Sequence, residues 1–194
     1  IMFSLIYALN LEYFIKGVRI VYLNGETTVS IDDLKYFDYE TIKAPDEKSP
    51  WNERENIIDT FSNEFEELNK EFGTVAYIVI HKDTIIAEKY YKGYSSNSSS
   101  NSFSMAKTLV SAMMGKALEL GYINSLNDKV KDYIPELKGE FANDVRVIDL
   151  ASMTSGLDWD EGTSDPFSPV AKQYFVSDVE ELMLNQPIIE KPGE

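Results

Sequence analysis

Phe-Ser-Met-Ala-Lys-Thr, at residues 103–108, is the segment from which the architecture and the chemistry of this chain are best inferred. An apolar run continues from it to Gly121, which predicts a buried helix over about residues 104–120. Residues three apart share one face of a helix, so the Lys107 amine can reach the Ser104 hydroxyl. Free backbone N–H groups and the positive end of the helix dipole would also face an anion formed there. The segment therefore predicts a nucleophilic serine with a lysine beside it.

The lysine needs surroundings that favour its uncharged form if it is to accept the proton of the serine. Met105 and Leu109 are apolar neighbours on the predicted helix, and burial among such groups disfavours a charged amine. A second interpretation stays open on these residues alone, in which Ser104 only caps the helix and Lys107 is a solvated residue of its first turn. Four-residue matches of this kind also arise by chance, so the match needs structural context.

Upstream of this segment, the apolar residues indicate a hairpin, a helix and a further strand. Residues 74–80 and 84–91 are nearly continuous apolar runs around a turn at His81, and they predict two strands of a sheet covered on both faces. Apolar residues at spacings of three and four predict a helix over about residues 53–71. The β-branched and aromatic residues at 11–23 predict a strand.

The composition of residues 44–50 is typical of a linker. It divides the chain into an N-terminal extension, residues 1–50, and a main domain, residues 51–194. The extension starts with an apolar stretch too short to span a bilayer, which is either the end of a signal or anchor segment or an element of the fold. The order of elements is typical of an α+β fold. Shorter helices are predicted at about residues 128–134, 146–153 and 177–185.

Composition excludes several classes of function. The chain has 33 acidic and 18 basic residues and a net charge of −15, which argues against nucleic acid or an anionic membrane surface as partner, because both require a basic face. It has no cysteine, so disulfides, thiol nucleophiles and thiolate metal sites are excluded. The single histidine, His81, is expected at a surface turn and makes a multi-histidine metal site impossible. Since the sequence also lacks a Gly-rich phosphate loop, we expect no metal and no cofactor.

Several segments, in the same order, resemble the serine β-lactamase and penicillin-binding-protein superfamily. The similarity is greatest to its class C-like branch, which includes esterases, D-aminopeptidases and 6-aminohexanoate-dimer hydrolase. It runs from about residue 55 to the last residue. The segment around Met153 resembles LL-x-H-T-S-G-L of that branch, with methionine where histidine is usual. The matching segments are residues 103–108, Gly-Tyr-Ile at 121–123, Leu-Asn-Asp-Lys-Val at 126–130, residues 147–159, and Pro-Gly-Glu at 192–194.

This resemblance implies a fold and an activity. The fold would be an α/β/α sandwich of the β-lactamase/transpeptidase type with an all-helical region, here incomplete because the C-terminal strands and helix are missing. The activity would be acyl transfer, in which Ser104 attacks an ester, amide or lactam carbonyl. Lys107 would be the general base, or the partner of a tyrosine with which it shares a proton. Asp158 and Trp159 would border the substrate cleft, or belong to an exposed acidic loop.

The chain also departs from the superfamily, whose three catalytic elements are S-x-x-K, Y/S-x-N and a later K/H-x-G strand. Only the first is found, so we expect a truncated and inactive chain. Tyr122-Ile123-Asn124 fits Y-x-N as text but follows the serine too closely, and Ser164-Asp165-Pro166 resembles S-D-N without the amide. Neither is expected to be catalytic.

Partners and location follow from the same resemblance. We expect a small-molecule acyl substrate and a periplasmic or membrane-anchored extracytoplasmic location, with an anchor upstream of residue 1. The hairpin would leave an unpaired edge and an uncovered apolar face, so we expect pairing with another chain, or aggregation. Two alternatives remain: a non-catalytic module that binds acyl or peptidoglycan-like ligands, and an unrelated acidic interaction domain.

Overall fold

The computed structural model describes residues 6, 11–43, 46, 51–162 and 167–193, which form two compact units. The first contains the described residues of Ile1–Ile31 and Ser102–Glu194, and the second those of Asp32–Asn101. The predicted division of the chain at residue 50 stays a prediction. Nearly all of the predicted linker and most of the apolar start lie outside the described residues.

The described elements confirm the mixed α and β character predicted from the sequence. Within the described residues, none of the helices combines the length and the apolar character that a bilayer crossing needs. The helices are α1 (Glu12–Ile20), α2 (Asn63–Glu71), α3 (Ala106–Glu119), α4 (Val147–Ala151), α5 (Pro169–Phe175) and α6 (Val179–Leu184). The strands are β1 (Asn52–Ile58), β2 (Ala76–His81) and β3 (Thr84–Tyr90). Short 3₁₀ helices lie at Tyr22–Asn24, Ile31–Tyr36, Phe103–Met105 and Val130–Asp132.

The second unit contains a three-stranded sheet in the order β1-β3-β2. Strands β2 and β3 form the predicted antiparallel hairpin, and β1 pairs with β3 in parallel. Lys82 and Asp83, at the turn, have φ angles of 49° and 58°. Two consecutive positive φ angles are what a two-residue type I′ turn requires, and this turn matches the twist of the strands. The hairpin prediction is confirmed. Ile78 and Ile80 are exposed, so the prediction of a sheet covered on both faces is wrong for the described chain, and the apolar face expected to be uncovered is found.

The helix predicted over residues 53–71 is shorter, and it is preceded by a strand. Its start is set by Ser62, whose hydroxyl accepts a hydrogen bond from the Phe65 backbone N–H at 3.3 Å. Residues before the cap instead pair with β3, and this tertiary pairing outweighs the helical spacing of the apolar residues. The Phe65 ring packs on Tyr77 of β2 with a centroid distance of 4.8 Å, which fastens α2 to the sheet.

The strand predicted at residues 11–23 is wrong, because this stretch forms α1. Its β-branched and aromatic composition favours a strand, but its buried residues Tyr13, Ile20 and Val21 recur at helical spacing. At Gly17, an added Cβ would lie 3.1 Å from the Phe175 ring. The helix therefore approaches α5 closely at Gly17, where a side chain would require the Phe175 ring to shift by a few tenths of an ångström.

The core of the first unit surrounds Ile188, which is fully buried with Val130, Ala142 and Val145. The Ile188 backbone N–H donates to the Lys138 carbonyl at 2.8 Å. The predicted short helices are found here as the 3₁₀ helix Val130–Asp132 and as α4 and α6. Helix α5 was not predicted, although Ser168 followed by Pro169 is a typical helix start.

Helix α3 forms where it was predicted, but none of its residues is buried in the described chain. Leu109, Val110 and Met113 are each 62–63% exposed. The prediction of a buried helix is therefore wrong for this chain. A contiguous apolar surface of this kind is typical of a face that another segment or another molecule covers.

Candidate active site

The structure brings Ser104 and Lys107 into direct contact. Ser104 lies in the 3₁₀ helix Phe103–Met105, and Lys107 lies in the first turn of α3. The Lys107 Nζ donates a hydrogen bond to the Ser104 Oγ at 2.8 Å. This spacing allows a proton to pass directly between the two groups, as general base catalysis requires.

The second interpretation is wrong for Ser104, which does not cap the helix, but Lys107 is an exposed residue of the first turn, as that interpretation has it. No side chain caps the start of α3 or of the 3₁₀ helix before it. The Met105 backbone N–H donates to the Ser102 carbonyl at 3.1 Å, which closes the turn around the serine without using its hydroxyl. The Ser104 Oγ is thus oriented by Lys107.

Phe103 determines the backbone geometry just before the serine. Its φ angle of 45° lies in the left-handed region, which bulky residues rarely adopt unless surrounding contacts hold them there. Its ring stacks on that of Tyr174 in α5 at 5.9 Å, with an interplanar angle of 6°. Tyr174 was not predicted from the sequence. The only local signal for α5 is its start at Ser168-Pro169, and this signal does not single out Tyr174.

The apolar shielding predicted for Lys107 is not supplied by its neighbours on the helix. Lys107 is exposed, and Met105 and Leu109 are 79% and 62% exposed. The prediction that these two residues bury the amine is therefore wrong in the described chain. Any desolvation of the amine would have to come from a group that covers α3.

Asp158 and Trp159 lie on a separate segment of the first unit. The Asp158 backbone N–H donates to the Pro187 carbonyl at 2.9 Å, and Leu157 forms a β-bridge with Ile188. The Asp158 side chain is exposed and that of Trp159 is half-buried. These contacts anchor the segment to the core, and its role at a substrate cleft stays a prediction.

Gly156 allows the segment Thr154-Ser155-Gly156 to lie against residues 190–193. Its φ angle is 74°, and an added Cβ would lie 2.0 Å from the Glu190 carbonyl oxygen. Only glycine fits there, since a side chain would overlap the backbone. The Gly193 backbone N–H donates to the Thr154 carbonyl at 2.9 Å, so residues 190–193 are held against this stretch.

Arg146 and Asp149 form the charged pair that holds the start of α4. The guanidinium donates to both carboxylate oxygens, at 3.0 and 2.7 Å, and the Arg146 backbone N–H donates to the same carboxylate at 2.9 Å. Asp149 is 2% exposed. These donors hold the pKa of the Asp149 carboxyl below its usual range, because they stabilise its charged form.

Of the two text matches the structure describes only Tyr122-Ile123-Asn124, and it also describes His81. Tyr122 is exposed just after α3, and the Asn124 backbone N–H donates to Asp128 and to the Tyr133 hydroxyl. Residues 164–166 lie outside the described residues. His81 is exposed at the end of β2, as predicted for a surface histidine. In the part of the chain that the structure describes, no group of three or more acidic or histidine side chains could hold a metal ion.

A comparison with family models decides the family. The model named Beta-lactamase matches residues 61–194, which is more than half of the chain and includes both Ser104 and Lys107. The chain belongs to the Beta-lactamase family. Its small sheet and several helices correspond to part of the fold of this family, so the predicted fold class is confirmed.

Two proteins similar to this Beta-lactamase family chain carry the name 6-aminohexanoate-dimer hydrolase. The chain is 27% identical over 107 residues to the 6-aminohexanoate-dimer hydrolase of Paenarthrobacter ureafaciens, a match over 55% of this chain and 27% of that protein. A solved protein of Bacillus anthracis, provisionally named a 6-aminohexanoate-dimer hydrolase, superposes with a TM-score of 0.58 at 20% identity, over 76% of this chain and 44% of that one. The chain therefore spans less than half the length of these relatives.

Proposed function

We propose that this chain carries the nucleophile of a serine hydrolase that acts on an ester, amide or lactam through an acyl-enzyme at Ser104. The observation that supports the proposal is the 2.8 Å contact between Ser104 Oγ and Lys107 Nζ, within the segment matched by the family model. A hydroxyl is a weak nucleophile unless an adjacent base activates it, and Lys107 is the base within reach.

The proposed reaction begins at the contact between Lys107 and Ser104. The Lys107 amine takes the Ser104 proton as the Oγ–carbon bond forms, and the carbonyl becomes a tetrahedral oxyanion. The carbon–leaving-group bond then breaks, and the proton passes from the ammonium to the departing alcohol or amine. Water subsequently adds to the acyl-enzyme, the acyl–Oγ bond breaks, and the carboxylic acid leaves with Ser104 restored.

The oxyanion needs donors, and the start of α3 supplies candidates. We propose that the Ser104 backbone N–H donates to the oxyanion, at the positive end of a 14-residue helix. A second donor and a tyrosine base are expected from the Y/S-x-N and K/H-x-G elements, which are not found in these 194 residues. Loss of one oxyanion donor typically costs about 100- to 1,000-fold in rate. We therefore expect the chain alone to be acylated at Ser104 but to show no steady turnover.

The substrate class is proposed as a small acyl compound, and an extracytoplasmic location is part of the same proposal. Both rest on resemblance to the family. Asp158 and Trp159 are proposed to border the substrate cleft. The rate of acylation by a small chromogenic ester tests this in Trp159→Ala. A rate equal to that of the wild-type chain would contradict the proposal that Trp159 borders the cleft.

The test of the nucleophile is mass spectrometry after exposure to a fluorophosphonate probe. Attack by Ser104 Oγ forms an oxygen–phosphorus bond and releases fluoride, which adds the mass of the phosphonyl group to one peptide. We expect this adduct on Ser104 and none in Ser104→Ala. Ser111→Ala, which changes another exposed serine of α3, should react normally. An unlabelled wild-type chain would favour the non-catalytic binding module instead.

A further inference from the structure

The first unit contains an apolar cavity of about 210 Å³, and Phe103, the residue before the proposed nucleophile, is one of the residues that line it. Its walls are α1, residues 21–29, Phe103 and α5. All of the described residues that line it are apolar, aromatic, glycine or threonine, and none of these carries a formal charge. A cavity with this lining favours an uncharged, apolar occupant, because burying a charge without a partner is costly.

Phe103 connects the cavity to Ser104. Its ring lines the cavity and stacks on Tyr174, which lines the same cavity from α5. Ser104 is the next residue, so its Cα lies about 3.8 Å from that of Phe103. Phe103 has a left-handed φ of 45°, so the turn that leads into Ser104 also places the Phe103 ring in the wall of the cavity.

We propose that this cavity binds the acyl group of the substrate, and that this group is a neutral alkyl chain of medium length. The inference rests on Ser104 being the nucleophile, as proposed above. An apolar cavity of about 150 Å³ accommodates benzene, so the present one accommodates about six to eight carbon atoms. Each additional buried methylene is expected to improve affinity about fourfold until the cavity is full.

The charges around the cavity argue against a chain that ends in an amine. No acidic side chain is among the described residues that line the wall, so an ammonium group would lose its hydration without gaining an ion pair there. A cation already lies against this wall, since the Lys172 Nζ is 5.9 Å from the ring centroid of Tyr13, a lining residue. The expected acyl group therefore differs from the 6-aminohexanoyl group in the names of the relatives.

The cavity is tested by titrating octanamide and 8-aminooctanamide into the full chain and following chemical shifts. We expect octanamide to bind about 15-fold more tightly than hexanamide, which has two methylenes fewer, and 8-aminooctanamide to bind more weakly than octanamide. Thr28→Trp and Ala171→Leu should each weaken octanamide binding at least tenfold, because both enlarge a side chain that lines the cavity. The matched controls Leu23→Trp and Gln173→Leu change residues outside the lining and should bind normally. Absence of octanamide binding, unchanged binding in both filled variants, or equal binding of the amine would overturn the inference.

A labelling experiment separates this inference from the proposed function. The full chain is treated with two fluorophosphonates that carry an ethyl or an octyl chain. We expect the octyl probe to label Ser104 faster than the ethyl probe, Thr28→Trp to remove this preference, and the control Leu23→Trp to keep it. Equal labelling rates for the ethyl and octyl probes in the wild-type chain would overturn the proposal that the cavity binds the acyl group. Such a result would not contradict Ser104 as the nucleophile. Octanamide binding without labelling at Ser104 would instead overturn the proposed function, and the acyl assignment with it.

Discussion

The segment around Ile188 and helix α3 belong to the same unit but differ in how much of their surface is covered. Ile188 is fully buried, and its backbone is tied to Lys138 by a hydrogen bond and to Leu157 by a bridge. Helix α3 has no buried residue, although it carries Lys107 and follows directly after Ser104. We therefore expect the segment around Ile188 to determine stability, and the start of α3 to determine reactivity. Substitutions around Ile188 should change folding, whereas substitutions at the pair should change chemistry alone.

The largest effect on folding is expected from Ile188→Ala. Removing a fully buried side chain leaves a cavity in the core, which typically costs about 3 kcal/mol in the free energy of unfolding. Urea denaturation followed by circular dichroism measures the change. Ile42→Ala is the control, because Ile42 is 90% exposed and the change should stay within about 0.5 kcal/mol. Equal effects at the two positions would contradict the contrast between the two regions.

Asp149→Asn should lower the free energy of unfolding by about 2 kcal/mol. The substitution removes a buried carboxylate that accepts three hydrogen bonds from Arg146. Urea denaturation at neutral pH measures the loss. Glu140→Gln, at an exposed position, should leave stability unchanged. A negligible loss in Asp149→Asn would show that the Arg146 contacts contribute little.

The same carboxylate predicts a pH dependence. Its pKa is lower in the folded chain than in the unfolded chain, so folding favours its ionised form. The stability it contributes is complete above the unfolded pKa and is lost as pH falls below about 4 through the folded value. Stability measured from pH 6 to pH 2.5 should therefore fall more steeply in the wild-type chain than in Asp149→Asn. Parallel curves would contradict this assignment.

Substitutions on the exposed apolar surface of α3 are expected to change stability little but to change association of the chain clearly. We propose that its uncovered apolar surface, together with the exposed face of β2, leads the chain to pair with another molecule or to aggregate. Replacing Leu109 and Met113 together with Glu should shift sedimentation towards the monomer and change stability by less than about 1 kcal/mol. Replacing the exposed Thr27 and Thr28 with Glu provides a control. A wild-type chain that is already monomeric would contradict the proposal.

The fold could be predicted from sequence where the pattern was local. The hairpin at β2 and β3 and the extent of α3 follow from apolar runs, a two-residue turn and a terminal glycine. The strand predicted at residues 11–23 failed because composition was given more weight than the spacing of Tyr13, Ile20 and Val21. The strand β1 could not be predicted, because it exists only through pairing with β3, which is far away in the sequence.

The candidate site was predictable in part, for a similar reason. The spacing of Ser104 and Lys107 on a helix fixes their contact, and the structure shows it. The surroundings of Lys107 depend on what covers α3, which the local sequence does not specify. Tyr174 and the cavity beside Phe103 arise from the packing of α1 against α5, so no pattern near Ser104 could indicate them.

The central claim, that Lys107 activates Ser104, is tested most directly by the rate of fluorophosphonate labelling in Lys107→Met. The control is Lys116→Met on the same helix, where the lysine pairs with Glu119. We predict that Lys107→Met reduces the labelling rate by about 100-fold or more, with unfolding free energy within about 0.5 kcal/mol of wild type, and that Lys116→Met labels normally. Equal labelling rates in Lys107→Met and in the wild-type chain would contradict the claim.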